Sequence, residues 1–252
     1  MKVRILGCGT STGVPKIGND WGRCDPAEPR NRRMRTSIMV ESQGERMLVD
    51  CGPDLRQQLL TADVNQLAGV IVTHAHADHC HGIDELRPVA QAIEAPVPVH
   101  ARADVLERLK TSFAYAFTRT NFYRTILEPR ELGDNLAFGD VKVTFADQPH
   151  GGITSLGLRF QTARRSVGYA VDFNTISDDM FSLYEGVDIW IADCLTRQPH
   201  PTHMHLDGVL NAARDLRVGQ VYLVHMGNGL DYRTLVSELP DWAAPAYDGL
   251  EL

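Results

Sequence analysis

The sequence predicts an α/β (α+β) fold: two β-sheets packed face to face, with helices outside. Three observations predict it. Short apolar runs rich in β-branched residues alternate with segments of 3.6-residue periodicity. The elements repeat in two halves of similar pattern. No linker or low-complexity stretch divides them, so one domain over 1–252 is expected; 43% of its residues are hydrophobic and 23% charged, enough for a large core.

Residues 3–6 form a short buried strand that stops at Gly7-Cys8-Gly9-Thr10-Ser11-Thr12-Gly13, a loop of glycines and hydroxyls. Residues 15–35 carry Pro15, Pro26 and Pro29 with Arg23, Arg30, Arg32, Arg33 and Arg35, and read as an irregular basic insertion. Strands over 37–41 and 46–50 flank a Gln43-Gly44 turn. Residues 53–60 are helical, with Pro53 in the first turn and Leu55, Leu59 and Leu60 on one face. A strongly apolar strand over 67–73 runs into His74. Helix 83–93, strand 97–100 and an amphipathic helix 103–117 follow. Residues 119–135 are ambiguous, with part of a lid as one reading; in residues 113–130 the aromatic side chains Phe113, Tyr115, Phe117, Phe122 and Tyr123 fit core, lid or dimer surface, with core the plainer reading. The strand 141–146 ends before Gln148-Pro149-His150. Strands 156–161 and 166–171 pair around Ala163-Arg164-Arg165, and the second ends at Asp172. Strand 187–192, helix 207–216, strand 220–224 and helix 232–238 complete the chain.

A net charge of −7 argues against nucleic acid as a partner, because an acidic surface repels a phosphate backbone at long range. It does not disfavour a small phosphorylated molecule if bound cations dominate the local field. The five cysteines, Cys8, Cys24, Cys51, Cys80 and Cys194, include no C-x-x-C pair, so no disulfide framework is expected and a reducing compartment fits. The apolar N-terminal stretch is too short for a signal-peptide core, and no run reaches the ~20 apolar residues of a membrane helix. A cytoplasmic protein is the expectation; a homodimer stays open.

The chemistry concentrates in Thr73-His74-Ala75-His76-Ala77-Asp78-His79, directly after a buried strand. Imidazole and carboxylate together suit divalent cations such as zinc or manganese. His74 and His76, two apart on an extended end, can face one ion; Asp78 and His79, past a turn, can face a second. Packing does not explain four histidines within 74–81, since each would need a polar partner if buried. Further ionisable residues end other apolar strands: His150, Asp172 and His225.

This ordered set resembles the metallo-β-lactamase superfamily motif, H-x-H-x-D-H followed by a distant His, an Asp and a His. The resemblance covers the chain from the first strand to the last helix. It implies a four-layer αββα sandwich of two mixed sheets and two divalent metal ions per chain, Zn2+ or Mn2+. By that likeness His74, His76 and His150 hold one ion, Asp78, His79 and His225 the other, and Asp172 bridges them. A hydroxide between two cations is a nucleophile at neutral pH; Asp78 could orient it as well as ligate.

Three segments bear on the bond that is cut. Gly9-Thr10-Ser11-Thr12-Gly13-Val14-Pro15 is similar to a loop shared by tRNase Z and the PhnP-like phosphodiesterases, and makes Thr10, Ser11 and Thr12 candidate anion contacts. Asp50-Cys51-Gly52-Pro53 and His81-Gly82-Ile83-Asp84-Glu85-Leu86-Arg87 also resemble PhnP-type segments. Asp50 is expected behind a ligand histidine, and Arg87 is either a substrate contact or a helix-surface ion pair. In such enzymes a histidine from the region of His200-Pro201-Thr202-His203-Met204-His205 protonates the leaving alcohol; by position the role falls to His203, with His205 second and His200 a plain surface residue. The chain departs from PhnP in having a single cysteine, Cys24, where that family carries several at a structural zinc site. A structural zinc is therefore not expected, and arginines 30–35 either anchor phosphate or solvate a loop.

The resulting expectation is a dinuclear-metal phosphodiesterase acting on a small cyclic or nucleotide-like phosphodiester. The alternatives are tRNA 3′ processing, against which the acidic charge and the lack of a long arm argue, and a non-catalytic PqqB-like member, against which the intact ligand set argues. Thioester or lactam hydrolysis explains neither the Thr10–Gly13 loop nor His203.

Overall fold

The computed structural model describes every residue except Thr120, Asn121, Tyr123 and Asn135; the reading of Tyr123 lies outside the described residues. The first sheet contains β1 (Lys2–Gly7), β2 (Ser37–Ser42), β3 (Glu45–Val49), β4 (Gly69–Ile71), β5 (Val97–Ala101) and β6 (Leu127–Glu131), in that order. The second contains β7 (Leu136–Phe138), β8 (Val141–His150), β9 (Ile153–Gln161), β10 (Ser166–Ala170), β11 (Ile189–Asp193), β12 (Gln220–Val224) and β13 (Ala243–Pro245), also in chain order. Both sheets are mixed and both change from antiparallel to parallel pairing along the chain. β3 to β6 are parallel in the first, and β10 to β13 in the second. Eight helices accompany them among the described residues: α1 (Leu55–Ala62), α2 (Ala77–Cys80), α3 (Arg87–Ala92), α4 (Ala103–Ser112), α5 (Ala114–Phe117), α6 (Asp178–Tyr184), α7 (Leu206–Asp215) and α8 (Tyr232–Glu238).

Strand alternation divides the core. Ile38, Val40, Met47, Val49 and Ile71 pack with Val143, Leu158, Tyr169 and Ile191 of the second sheet, whereas Trp190 turns away, against Tyr184 of α6. Their neighbours Met39, Leu48, Val70 and Val72 turn the other way, against Leu55 and Leu59 of α1 and Leu106 and Leu109 of α4. Strands buried on both faces read as continuous apolar runs for this reason. The second sheet is covered by Met180, Leu183 and Tyr184 of α6 and by Val209, Ala212 and Ala213 of α7.

Several expected boundaries move. The helix over 83–93 divides into a 3-10 turn, Ile83–Leu86, and α3, because Pro88 has no N–H to return to the carbonyl of residue 84. The helix over 103–117 breaks at Phe113, whose backbone (φ −127°, ψ 38°) is not helical. Phe113 and Phe117 pack against the core, whereas Tyr115 and Phe122 are exposed. The ambiguous stretch contains β6, a sheet edge whose Pro129 hid the strand. β8 runs on to His150, with Pro149 opposite Thr154 and His150 opposite Ile153, beyond the short β7 and so with no strand on its other side. All five cysteines are buried and unpaired. No helix among the described residues is long and apolar enough to cross a membrane.

The C-terminal segment is tied back through Asp248, whose carboxylate accepts the N–H groups of Cys8 (3.0 Å) and Met34 (2.7 Å). Burial outweighs those bonds and the pull of Arg33, raising its pKa to about 6. The folded chain therefore binds more protons than the unfolded chain between about pH 4 and 6, and stability falls as pH rises through that window. The expected contribution is on the order of 2 kcal/mol, reduced by the solvent that reaches the half-buried group. Urea unfolding of wild type and Asp248→Asn at pH 4.5 and 6.5 checks it: the stability difference between the two should shift toward the variant at the higher pH, and a constant difference would contradict the assignment.

Candidate metal centre

The carboxyl ends of the parallel strands hold the chemistry. Asp50 follows β3, His74 follows β4, Asp172 follows β10, Asp193 ends β11 and His225 follows β12. Three of these, Asp50, Asp172 and His225, have left-handed backbone, with φ of 63°, 56° and 55°. A non-glycine residue there costs on the order of 1 kcal/mol. The turn aims each side chain back over the end of its strand.

Asp172 lies at the middle of the cluster. Its Oδ2 is 3.2 Å from His74 Nε2, 3.3 Å from His150 Nε2 and 3.5 Å from His79 Nε2, and its Oδ1 is 3.2 Å from His225 Nε2. Asp78 Oδ2 lies 3.2 Å from His79 Nε2 and 3.5 Å from His225 Nε2, and His76 Nδ1 is 3.0 Å from His74 Nε2. Two groupings follow, His74 with His76, His150 and Asp172, and Asp78 with His79 and His225. A third, Asp172 with Asp193, His203 and His225, overlaps them.

The hydrogen bonds behind the cluster fix which ring nitrogens face inward. His79 Nδ1 meets Asp50 Oδ2 at 2.7 Å, and Asp50 also accepts from the N–H (2.8 Å) and hydroxyl (3.0 Å) of Thr73. His150 Nδ1 meets the Thr202 carbonyl at 2.9 Å. With those protons on Nδ1, each Nε2 of the neutral ring presents a lone pair toward Asp172, so lone pairs face lone pairs across 3.3–3.5 Å unless a proton or a cation lies between them. His79 Nε2 and Asp172 Oδ1 are buried without a hydrogen-bond partner. A divalent cation between such atoms relieves the conflict, and the donor set fits one.

The electrostatics are those of a tightly coupled group. Burial alone would raise the Asp172 carboxyl, but His225 and His79 hold it well below the ordinary range. Burial likewise disfavours charge on His79 and His225, yet Asp172 with Asp50 lifts the first and Asp172 with Asp193 the second. His150 goes the other way: burial lowers it to about 4 despite Asp172, which suits a neutral ring with a free lone pair. Asp193, buried beside His225 and Asp172, is raised.

A cavity of about 360 Å³ opens over the cluster, lined by Ser11, Asp78, His150, Asp172, His203 and His225 among others. His203 Nδ1 is bonded to Asp193 Oδ2 at 2.8 Å, which leaves Nε2 free to reach into the cavity. Asp193 was not anticipated, although it carries the same signal as Asp172, a carboxylate ending a buried strand. Thr10 is buried, its N–H on the Met226 carbonyl (3.2 Å), which seats the loop beside His225. Ser11 lines the cavity; Thr12 is exposed, with its hydroxyl on Gly13 O. Thr10 and Thr12 do not line the cavity, and neither do Arg87 and His205. Arg87 pairs with Asp84 at 2.8 Å on the helix surface, the ion-pair reading. His205 is the N-cap position of α7, and its ring packs at Gly208. The segments carrying Asp50 and Asp78 are clamped main chain to main chain: a Cβ on Gly52 would stand 2.0 Å from Asp78 O, and one on Gly82 1.9 Å from Gly52 O.

The basic insertion is pinned elsewhere. The buried Arg33 guanidinium donates to Asn31 Oδ1 and to the carbonyls of Gly227 and Leu230, 4.0 Å from Cys24 Sγ. A cationic side chain thus already occupies the surroundings of Cys24. Glu28, 1% exposed, pairs with Arg30 and with Arg233 of α8, which lower its pKa to about 2.

Comparison with known proteins agrees with this architecture. The family model described as Beta-lactamase superfamily domain matches residues 45–226. A solved structure described as a new diphosphatase from the PhnP family superposes with a TM-score of 0.91 at 32% identity, covering 100% of this chain and 96% of that one. An octanoyltransferase of Porphyromonas gingivalis is 28% identical over 257 residues, covering 100% of this chain. A ribonuclease Z of Pseudomonas putida is 28% identical over 149 residues, 56% of this chain. The chain spans 51% of the length of the first of these curated relatives, and the match covers 42% of the second.

Proposed function

This chain belongs to the metallo-β-lactamase superfamily and is PhnP-like, and from that premise we propose that it is a metal-dependent hydrolase of small phosphodiesters, working as a single domain. The observation that carries the reading is the contact of one carboxylate, Asp172, with four inward-facing imidazole nitrogens. His74, His76 and His150 would hold one divalent cation, Zn2+ or Mn2+, and Asp78, His79 and His225 the other, with Asp172 between the two groups. Such cations supply Lewis acidity at phosphoryl oxygens and lower the pKa of water.

The chain's own residues do the rest. Asp50 and Thr202 hold the His79 and His150 rings in the tautomer that presents Nε2. Ser11, on the loop seated beside His225, offers a hydroxyl to a phosphate oxygen. Asp193 orients His203 so that Nε2 can deliver a proton to the departing alkoxide, which is a poor leaving group without one. Asp193 is a positioning residue in this scheme and His203 a catalytic one. His205 and Arg87 take no part.

A second reading, cleavage of a diphosphate bond, is favoured by the 32% identity to a PhnP-family diphosphatase. Both reactions break a P–O bond and use the same proton donor. Action on RNA is weaker: the ribonuclease Z match covers about half of each chain, and the net charge is −7.

The test is reconstitution. Chelator-treated protein should take up about two Zn2+ or Mn2+ per chain and regain hydrolysis of bis-p-nitrophenyl phosphate, with ADP and a precursor tRNA assayed beside it. Full metal loading without turnover of any of them would overturn the hydrolytic reading, and faster cleavage of the tRNA would replace the substrate class.

A further inference from the structure

A second cavity of about 630 Å³ adjoins the metal centre. It shares Gly152 and Ile153 with the first cavity and touches His74, so the β8–β9 turn forms a common wall. Its far side is α4, which contributes Asp104, Val105 and Arg108. Both volumes fall in the ordinary range of ligand pockets, about 300–1,000 Å³.

Three features of this wall point to an occupant. Ile153 is 45% exposed at the start of β9, a large apolar side chain left in water next to the centre. Asp104 and Arg108 stand one helical turn apart on α4, both exposed, and neither makes an ion pair among the described residues. Oppositely charged neighbours at that spacing that do not pair remain available to a ligand, one as acceptor and one as a forked donor.

We propose that this cavity is the subsite for the non-reacting half of the substrate, and that this half is a nucleoside. The assignment rests on the phosphodiesterase reading, since it places the reacting phosphate at the metal centre. A diester anchored there can extend one substituent past Gly152 and Ile153, the wall the two cavities share. A nucleobase has a flat face to cover Ile153 and an edge of donors and acceptors to meet Asp104 and Arg108. A bare sugar phosphate could satisfy Arg108 but would leave Ile153 wet and Asp104 facing an anion.

The experiment compares two diesters with the same leaving group, adenosine 5′-(p-nitrophenyl phosphate) and ethyl p-nitrophenyl phosphate, on metal-loaded wild type, Arg108→Ala and Asp104→Asn. The ratio of the two kcat/KM values within one protein cancels differences in folding and metal content. In wild type the nucleoside diester should be favoured by about tenfold or more, and each substitution should bring the ratio below ~3. Equal kcat/KM in wild type, or a preference unchanged in both variants, overturns the subsite. Calorimetric binding of AMP and of inorganic phosphate needs no turnover: AMP should bind Arg108→Ala about fivefold more weakly, with phosphate unchanged. If neither diester is cleaved but AMP discriminates in this way, the subsite stands and the hydrolytic reading falls. If both diesters are cleaved equally and AMP binds both proteins alike, the reverse holds.

Discussion

Asp172→Ala should lower phosphodiester hydrolysis by ~10³-fold or more in kcat/KM and prevent the binding of two metal ions per chain. Its oxygens meet imidazoles from both groupings, so its loss removes the carboxylate that lies between them. The electrostatic effect on the rings runs the other way, because a neutral imidazole is the form that binds a cation. Without Asp172, His79 and His225 lose the largest influence opposing burial, and both rings become easier to hold neutral. Asp50 and Asp193 still bond to His79 and His203, so the backbone around the cluster should stay in place. Asp172→Asn is the control: it keeps the shape and loses the charge. Elemental analysis and bis-p-nitrophenyl phosphate hydrolysis read both results. Stoichiometric metal with activity within tenfold of wild type would remove Asp172 from the centre of the scheme.

The second large effect is selective. His203→Ala should slow an alkyl phosphodiester by ~10²–10⁴-fold, the ordinary range for losing a general acid, yet slow a p-nitrophenyl ester by less than ~10-fold, because nitrophenolate departs without a proton. Asp193→Asn should give a smaller loss of the same pattern, since it disturbs the orientation of the ring and leaves the ring present. Equal slowing of both esters by His203→Ala would assign the residue to substrate or metal binding instead.

The centre was legible in the sequence because its logic is local. Each of His74, Asp172 and His225 follows a short apolar strand, and an ionisable side chain in that position is visible without coordinates. Asp193 obeys the same rule, but the apolar residues Cys194 and Leu195 follow it in the sequence, which masked the boundary. Arg87 could be read either way from sequence, and only the position of Asp84 decides it. The role of Arg33 was out of reach: its partners Gly227 and Leu230 are nearly 200 residues away, and a buried arginine looks like any other in a basic run. Asp104 and Arg108 were equally hidden, since an i, i+4 pair on a helix ordinarily signals a solvated ion pair. Of the fold, strongly apolar strands were recognised, whereas β6, short, polar and carrying Pro129, was not.

The left-handed backbone at Asp50, Asp172 and His225 has a consequence for engineering. At each of these positions glycine suits the main chain better than the native side chain, although aspartate and histidine tolerate it better than most residues. Selection for heat resistance alone would therefore drift toward replacing the very groups that meet at the cluster, one carboxylate or imidazole at a time. Directed evolution of this scaffold has to screen for cation retention at every round, since greater robustness and loss of chemistry lie in the same direction at these three sites.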